Sequence, residues 1–285
     1  MATNVLVLGG KGKTGRYVVE KLTNLGVSHR IATRSPQQPN EVAFDWMQAE
    51  LATAAFKDTR ALYIVAPTNS SEHGTLMLPI LEQAIVQGVQ RFVLLSASSL
   101  QAGGPMMGEV HAWLIKHAPE WAVLRPTWFM QNFSEQQHLP TICDEQAIYS
   151  ATGMGRVGFI DAQDIAEVAV AALVAETAWN NDFILTGPDA MTYGDVANTL
   201  NEALDYPVSH INLTSAQLVE RFQQQGMDQN YAQIMASMDA AIARGSEDKV
   251  TDNVETLTGR KPTCFADFVA REIQRWQSLA VKSDG

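Results

Sequence analysis

Short apolar runs alternate with amphipathic stretches along the first half of this chain. Val5–Leu8, His29–Thr33, residues 60–66, Arg91–Leu95 and residues 121–124 are strand-length segments closed by Gly, Arg, Pro or Ser. Runs of this length that stay largely apolar on both faces suit strands buried inside a parallel sheet. Residues 42–44 form a shorter candidate strand before Asp45-Trp46. Between these runs the apolar positions recur three and four apart. Val18, Leu22 and Leu25 mark one helix, and Leu76, Met77, Ile80, Leu81, Ala84 and Ile85 a wide stripe on another that Gly88 ends. A third helix is expected over about 106–116. Such alternation specifies a doubly wound parallel sheet with right-handed crossovers. Ligands of these sheets sit at the carboxyl ends of the strands. Chemistry is therefore expected in the loops that open at Gly9, Arg34, Ala66, Ser96 and Arg125.

After Pro126 the rhythm changes. Residues 149–160 are glycine-rich, with Phe159-Ile160 a candidate strand, and Asp161 can cap a helix that runs to Val174. Residues 182–186 read as a strand closing on Gly187-Pro188. Thr192 caps a helix to Leu204, 208–211 is a short strand, and Thr214-x-x-Gln217 is a capping box. Residues 228–244 and 263–276 complete a mostly helical part. No repeat and no low-complexity linker divides the chain.

The loop at Gly9 is the most specific signal. Gly10-Lys11-Gly12-Lys13-Thr14-Gly15 follows a buried strand and opens a helix, the context of a dinucleotide-binding turn. The same residues also read Gly9-x-x-Gly12-x-x-Gly15, so the register stays open. One glycine permits the tight turn, one lets backbone approach a pyrophosphate, and one lets helix and strand pack closely. The helix N-terminus offers N–H donors to the phosphates. A tight turn with no ligand is the alternative. The resulting expectation is an α/β fold: a Rossmann-type domain over 1–150 and a smaller, mostly helical substrate-covering lobe over 151–285. Part of the second segment is expected to return to the Rossmann sheet.

The end of the second strand selects the cofactor. An acid there would bind a ribose 2′-hydroxyl. Here Arg34 and Ser35 follow Thr33, and no acid is adjacent. A guanidinium pairs bidentately with a 2′-phosphate, and Lys11 can add a second charge, so NADP(H) is expected over NAD(H). A solvated surface arginine is the competing reading. Asp45 beside Trp46 either flanks the adenine or caps a helix. Ala66, Pro67 and Thr68, and then Ser96, Ala97 and Ser98, end the strands nearest the middle of the cofactor and its nicotinamide. The serines either hydrogen-bond a ligand or cap the next turn.

Composition narrows the partners. A net charge of −11 argues against nucleic acid and against an anionic membrane surface, both of which need clustered Lys and Arg. The two cysteines, Cys143 and Cys264, show no metal-ligand spacing. No metal site is expected, and no apolar run reaches membrane-spanning length. With no leader-like run before the first strand, a cytoplasmic protein is expected. Its oligomeric state stays open, a homodimer included.

Several runs extend the picture: Arg91-Phe-Val-Leu-Leu-Ser-Ala-Ser98, Leu124-Arg-Pro-Thr-Trp-Phe-Met-Gln-Asn132, Tyr149-Ser-Ala-Thr-Gly153, Asp161-x-x-Asp164-Ile-Ala, Leu185-Thr-Gly-Pro188 and Lys261-Pro-Thr-Cys-Phe-Ala-Asp-Phe268. Together with the glycine loop, they make the chain resemble, nearly end to end, the NmrA-like branch of the atypical short-chain dehydrogenases, in particular its festuclavine dehydrogenase group. The resemblance implies NADPH at the glycine loop and a pocket between the two lobes. It also implies that the backbone around Pro126 and Trp128 passes beside the nicotinamide. The branch further includes a triphenylmethane-dye reductase, a quinone reductase and redox-sensing regulators that bind the cofactor without turnover.

The main branch of these enzymes uses a Tyr-x-x-x-Lys pair as proton donor and its support. The one such spacing here, Tyr17 and Lys21, lies a turn beyond the glycine loop, away from any expected substrate. The family's pair falls about where Gly103 and Met107 stand, and neither side chain can do acid–base work. Ketone reduction wants an acid. An iminium ion, a quinone or a conjugated acceptor needs only hydride at an electron-poor carbon, with solvent supplying any proton. The expected activity is therefore an NADPH-dependent reductase acting on such a carbon of a flat, hydrophobic or aromatic small molecule. The alternative is a non-catalytic NADP(H) sensor acting through a protein partner. Remaining candidates are Ser98, Glu109 and His111 as acids, the last equally readable as a core histidine. Trp128, Phe129 and Met130 either wall the substrate or pack. Tyr231, Met235 and Met238 form either an adaptable lid or core.

Overall fold

A computed structural model describes residues 4–280, the side chains of 278–280 excepted. Its strands run β1 (Val5–Leu8), β2 (His29–Thr33), β3 (Glu41–Ala43), β4 (Ala61–Ile64), β5 (Arg91–Leu95), β6 (Glu120–Pro126), β7 (Ala147–Ser150), β8 (Asn181–Leu185) and β9 (Ser209–Asn212). The chain divides into two compact units.

The first unit comprises the chain to Pro126, Ala162–Leu185 and Asn253–Arg260. Its seven strands form one sheet in the order β3-β2-β1-β4-β5-β6-β8. Every pairing in it is parallel. The chain builds outward from β1 to β2 and β3, then returns to place β4 on the other side. That reversal beside β1 is where such sheets open a crevice at their carboxyl ends. All four residues of β1 are buried, as a strand covered on both faces must be. Leu6 and Leu8 join Leu62, Ile64, Phe92 and Leu94 in a core closed by Phe44, Trp46, Phe56 and Trp113.

Arg91, almost wholly buried at the start of β5, ties the returning segment in place. Its Nη1 donates to the carbonyls of Ala172, Leu173 and Ala175, at 3.2, 3.2 and 2.6 Å. Its Nε pairs with Glu120 at 2.7 Å. A cation on the last carbonyls of the helix Ala162–Val174 satisfies acceptors that have no partner within the helix and opposes its dipole.

The second unit comprises Thr127–Asp161, Thr186–Asp252 and the chain from Lys261. It holds the parallel pair β7 and β9. Phe133, Phe159, Tyr193, Phe265, Phe268 and Trp276 dominate its core, and the Trp276 indole donates to the Phe133 carbonyl at 3.0 Å. Helix starts read from single residues are present. Thr192 and Thr214 both form complete capping boxes, with Asp195 and Gln217. Asp228 caps the helix Gln229–Ala243.

Three details differ from the expectation. The division falls at Pro126 rather than at 150, because residues 147–150 form a strand that pairs with β9 instead of joining the large sheet. Phe159-Ile160 is not a strand but a single bridge, Phe129 to Ile160. The expected helix over 263–276 is two, Phe265–Glu272 and Gln274–Ala280, the first capped by the Cys264 thiol.

Candidate functional site

The glycine turn after β1 is specified by close contacts. Gly9 has φ +65°, a conformation that side chains disfavour. The Gly12 N–H donates to the Gly9 carbonyl at 2.8 Å, closing the turn. A Cβ on Gly15 would lie 2.1 Å from that same carbonyl oxygen, and one on Gly10 would lie 2.7 Å from the Ile31 side chain on β2. Gly9, Gly12 and Gly15 therefore crowd one another, while Gly10 sets the packing on the neighbouring strand. Both spacings legible in the sequence are used at once. The helix Gly15–Asn24 starts with no side-chain cap and no acid in its first turn, so its positive end is left for an anion. Its cap residue, Thr14, instead accepts a buried 2.8 Å hydrogen bond from the Tyr63 hydroxyl on β4. Burial raises the Tyr63 pKa far above its usual value, so the phenol stays a donor. No local pattern singled out Tyr63; its contact with Thr14 spans two strands. This turn fits a dinucleotide pyrophosphate.

Just past β2, Arg34 and Ser35 are exposed. Arg34 has no ion pair or hydrogen bond among the described residues. Lys11 does: its ammonium lies 2.7 Å from Glu41 Oε1. Glu41, which opens β3, also accepts the Gln37 N–H at 2.7 Å, and the Lys11 contact, first, and that bond hold its carboxyl below the usual range. Asp45 accepts the Met47 N–H at 2.9 Å, a local turn, and Trp46 packs into the core with its indole on the Val65 carbonyl at 3.0 Å.

At the carboxyl ends of β4 to β6, Ala66 and Pro67 are half-buried and Thr68 is exposed. The serine loop is bound to β6: Ser96 N–H donates to Leu124, and Ser98 N–H to Pro126, at 2.7 and 2.9 Å. Ala97 between them is half-buried. Arg125 braces this loop, donating to the Ser98 carbonyl at 2.9 Å while pairing with Asp182 of β8 at 2.6 Å. The Ser96 hydroxyl is buried without a partner among the described residues. His111 is a core histidine, its ring 5.9 Å from that of Trp121 and neither nitrogen partnered. Burial lowers its pKa, which keeps it neutral. The Glu109 carboxylate lies against Gly74, where an added Cβ would meet it at 1.9 Å, beside the first turn of the helix His73–Val86. An acid there complements the helix dipole.

In the second unit, Met130 is buried among Phe133 and Phe159, so it packs. Trp128 and Phe129 are half-buried and frame the bridge to Ile160. On the helix Gln229–Ala243, Tyr231 is 56% exposed, Met238 39%, and Met235 half-buried, so these do not form core. One turn beyond Met235 on the same helix, Asp239 is buried and accepts the Ala151 N–H at 2.8 Å. Burial pushes its carboxyl up to about 6.

A family profile described as NAD(P)H-binding matches residues 9–176. An uncharacterised oxidoreductase of Bacillus subtilis, YesF, is 37% identical over 96% of this chain and 97% of its own length. Agroclavine dehydrogenase of Claviceps purpurea is 36% identical over 96% and 99%. The chain belongs to the NAD(P)H-binding, NmrA-like atypical short-chain dehydrogenases. It is an NAD(P)H-dependent oxidoreductase of that family. The solved NADPH complex of an Escherichia coli quinone oxidoreductase has the same fold, with a TM-score of 0.82 at 18% identity over 94% of this chain and 99% of that one.

Within this short-chain dehydrogenase, Tyr17 and Lys21 are occupied elsewhere. The Lys21 ammonium is bound to Glu167, which also receives Arg260. Arg16 lies over the Tyr17 ring at 4.6 Å and donates to its hydroxyl. Gly103 sits in a turn at φ +80°, and Met107 opens the helix Met107–His117. No helix among the described residues is long and apolar enough to cross a membrane.

Proposed function

We propose that the protein is an NADPH-dependent reductase that delivers hydride to an electron-poor carbon of a flat, hydrophobic small molecule, such as an imine or iminium ion, a quinone or a conjugated acceptor. The glycine turn carries this reading. Residues Gly9 to Gly15 hold the pyrophosphate on the N-terminus of their helix, and Arg34, with Ser35, reads the 2′-phosphate. Ala66 to Thr68, Ser96 to Ser98 and Pro126 border the rest of the cofactor, whose reduced nicotinamide supplies the hydride when bound. Trp128 and Phe129 offer aromatic surface for a flat substrate.

The acceptor class follows from what the site lacks. Gly103 and Met107 stand where the family's main branch keeps its tyrosine and lysine, and His111 and Glu109 are committed to packing and to a helix end. The Ser96 hydroxyl orients a ligand or a water, but with a pKa far above neutral a serine is an inefficient general acid. Reaction then depends on the substrate's own electron deficiency, with the protein contributing position and exclusion of water. The names of the relatives agree: one acts on agroclavine, and a solved neighbour reduces quinones.

The test is a substrate panel followed through NADPH consumption: an aliphatic ketone, a cyclic imine, a quinone and a triphenylmethane dye. The imine, quinone or dye should be reduced and the ketone left nearly untouched. Fast ketone reduction with a sharp pH dependence would overturn the assignment. Tight NADPH binding with no turnover of any member would favour the sensor.

A further inference from the structure

We propose that Glu41 sets the preference between NADPH and NADH, by competing with the cofactor's 2′-phosphate for the charge of Lys11. This rests on the reading of the glycine turn and Arg34 as an NADP(H) site, and it concerns a residue outside both.

Glu41 joins two loops of the first unit. One carboxylate oxygen takes the ammonium of Lys11 from the glycine turn, and the other takes the N–H of Gln37 from the loop that begins at Arg34. The Glu41 side chain is 3% exposed, whereas that of Lys11 is 55% exposed. The acid is therefore the fixed partner and the lysine the movable one. Lys11 is thus paired with Glu41, whereas Arg34 has no ion pair or hydrogen bond among the described residues.

NADH brings no charge to this corner, so the Lys11–Glu41 pair stays closed when it binds. NADPH brings a dianionic phosphate. Either Lys11 turns to it and gives up its ion pair with Glu41, or Arg34 meets it without that second charge. In both cases Glu41 weakens the phosphate interaction and leaves NADH untouched. It moderates the selectivity that Arg34 confers.

Glu41→Gln isolates the charge, because its amide oxygen still accepts the Gln37 N–H. Dissociation constants for NADPH and NADH would be measured by nicotinamide fluorescence at low salt, with melting curves to confirm folding. The proteins are wild type, Glu41→Gln, Lys11→Met, the double variant and Arg34→Ala. Releasing one charge from a partly exposed pair is worth about fivefold. NADPH should bind about fivefold tighter to Glu41→Gln, while Lys11→Met and the double variant should bind it within twofold of each other, because the gain requires Lys11. NADH should stay within twofold throughout. The gain should shrink as salt screens the phosphate. If Glu41→Gln folds poorly, Glu41→Ala removes the same charge, and its gain in NADPH binding must likewise vanish when Lys11 is methionine. Unchanged NADPH binding when the Glu41 charge is removed with Lys11 present, an equal gain without Lys11, or parallel movement of NADH, overturns the role of Glu41 while Arg34→Ala still lowers NADPH selectivity. No loss of selectivity in Arg34→Ala overturns the 2′-phosphate reading itself.

Discussion

Replacing Gly15 with alanine tests the glycine turn directly. The added Cβ would lie 2.1 Å from the Gly9 carbonyl oxygen, 2.7 Å from its carbon and 2.8 Å from Gly10 Cα. Ordinary contacts need about 3.5 Å, so something must move by more than about 1 Å. All three atoms are backbone, and no rotamer relieves the clash. Overpacking of this kind costs about 1–3 kcal/mol. At about 2–4 °C per kcal/mol for a chain approaching this size, the melting temperature should fall by roughly 2–12 °C. The displaced turn is the proposed pyrophosphate site, which both cofactors share. Affinity for NADPH and NADH should therefore fall together, by about tenfold or more, a loss of about 1.4 kcal/mol. Gly194→Ala is the control. Its Cβ would meet only Thr192 Oγ1 at 3.5 Å, in a helix, so folding and binding should be unchanged or slightly improved. Fluorescence titration with both cofactors and a thermal melt give the result. If Gly15→Ala binds either cofactor within twofold of wild type, the turn is not where the pyrophosphate sits.

Arg34→Ala should cost on the order of 2 kcal/mol in NADPH binding, as for a charge-assisted pair, with NADH nearly unaffected; calorimetry with each cofactor would expose equal losses, which contradict a phosphate-reading arginine. Tyr63→Phe removes the donor to Thr14 inside the sheet and should lower stability by about 1–2 kcal/mol in denaturant, and an unchanged midpoint would mean that the bond contributes nothing. The Asp239 carboxyl, pushed up to about 6 from 3.8, holds its proton more tightly in the folded chain than in the unfolded one. Its contribution to stability is therefore largest below pH 4 and is lost as pH rises through about 6. Asp239→Asn keeps an acceptor for the Ala151 N–H, so it should exceed wild type above pH 7 by about 3 kcal/mol, with the gap closing near pH 4. Parallel melting curves across that range would show that Asp239 titrates normally.

What the sequence made legible was mostly local. The apolar run of β1, the glycines behind it, and the caps at Thr192, Thr214 and Asp228 each depend on residues within a few positions of one another. The long-range partners had no such signal. Nothing near Asn181–Leu185 says that β8 lies beside β6, and nothing near Tyr149 says that β7 pairs with β9 rather than with the large sheet. At the proposed site, Arg34 stands out because it takes the place at the end of β2 where an acid would bind a ribose hydroxyl. Glu41 does not, since its meaning comes from Lys11 thirty residues earlier and from a loop folded back between them. Spacing alone also left the glycine register open. The positive φ of Gly9 and the crowding of Gly15 against its carbonyl are backbone facts that spacing does not distinguish.

The placement of β8 has a consequence for synthesis of the chain. Until Leu185 has left the ribosome, β6 presents a free edge of unpaired N–H and C=O groups, and Arg91 has no carbonyls to hold. The gap between Pro126 and Leu185 is about 60 residues, which at about 5–20 residues per second takes about 3–12 s to translate. For that interval the nascent sheet carries an exposed strand of the type that recruits other chains. Fragments ending near residue 150 keep that edge permanently, so they should accumulate as aggregates where the whole chain remains dispersed. A circular permutant that begins at Ala162 would deliver β8 first and shorten the wait.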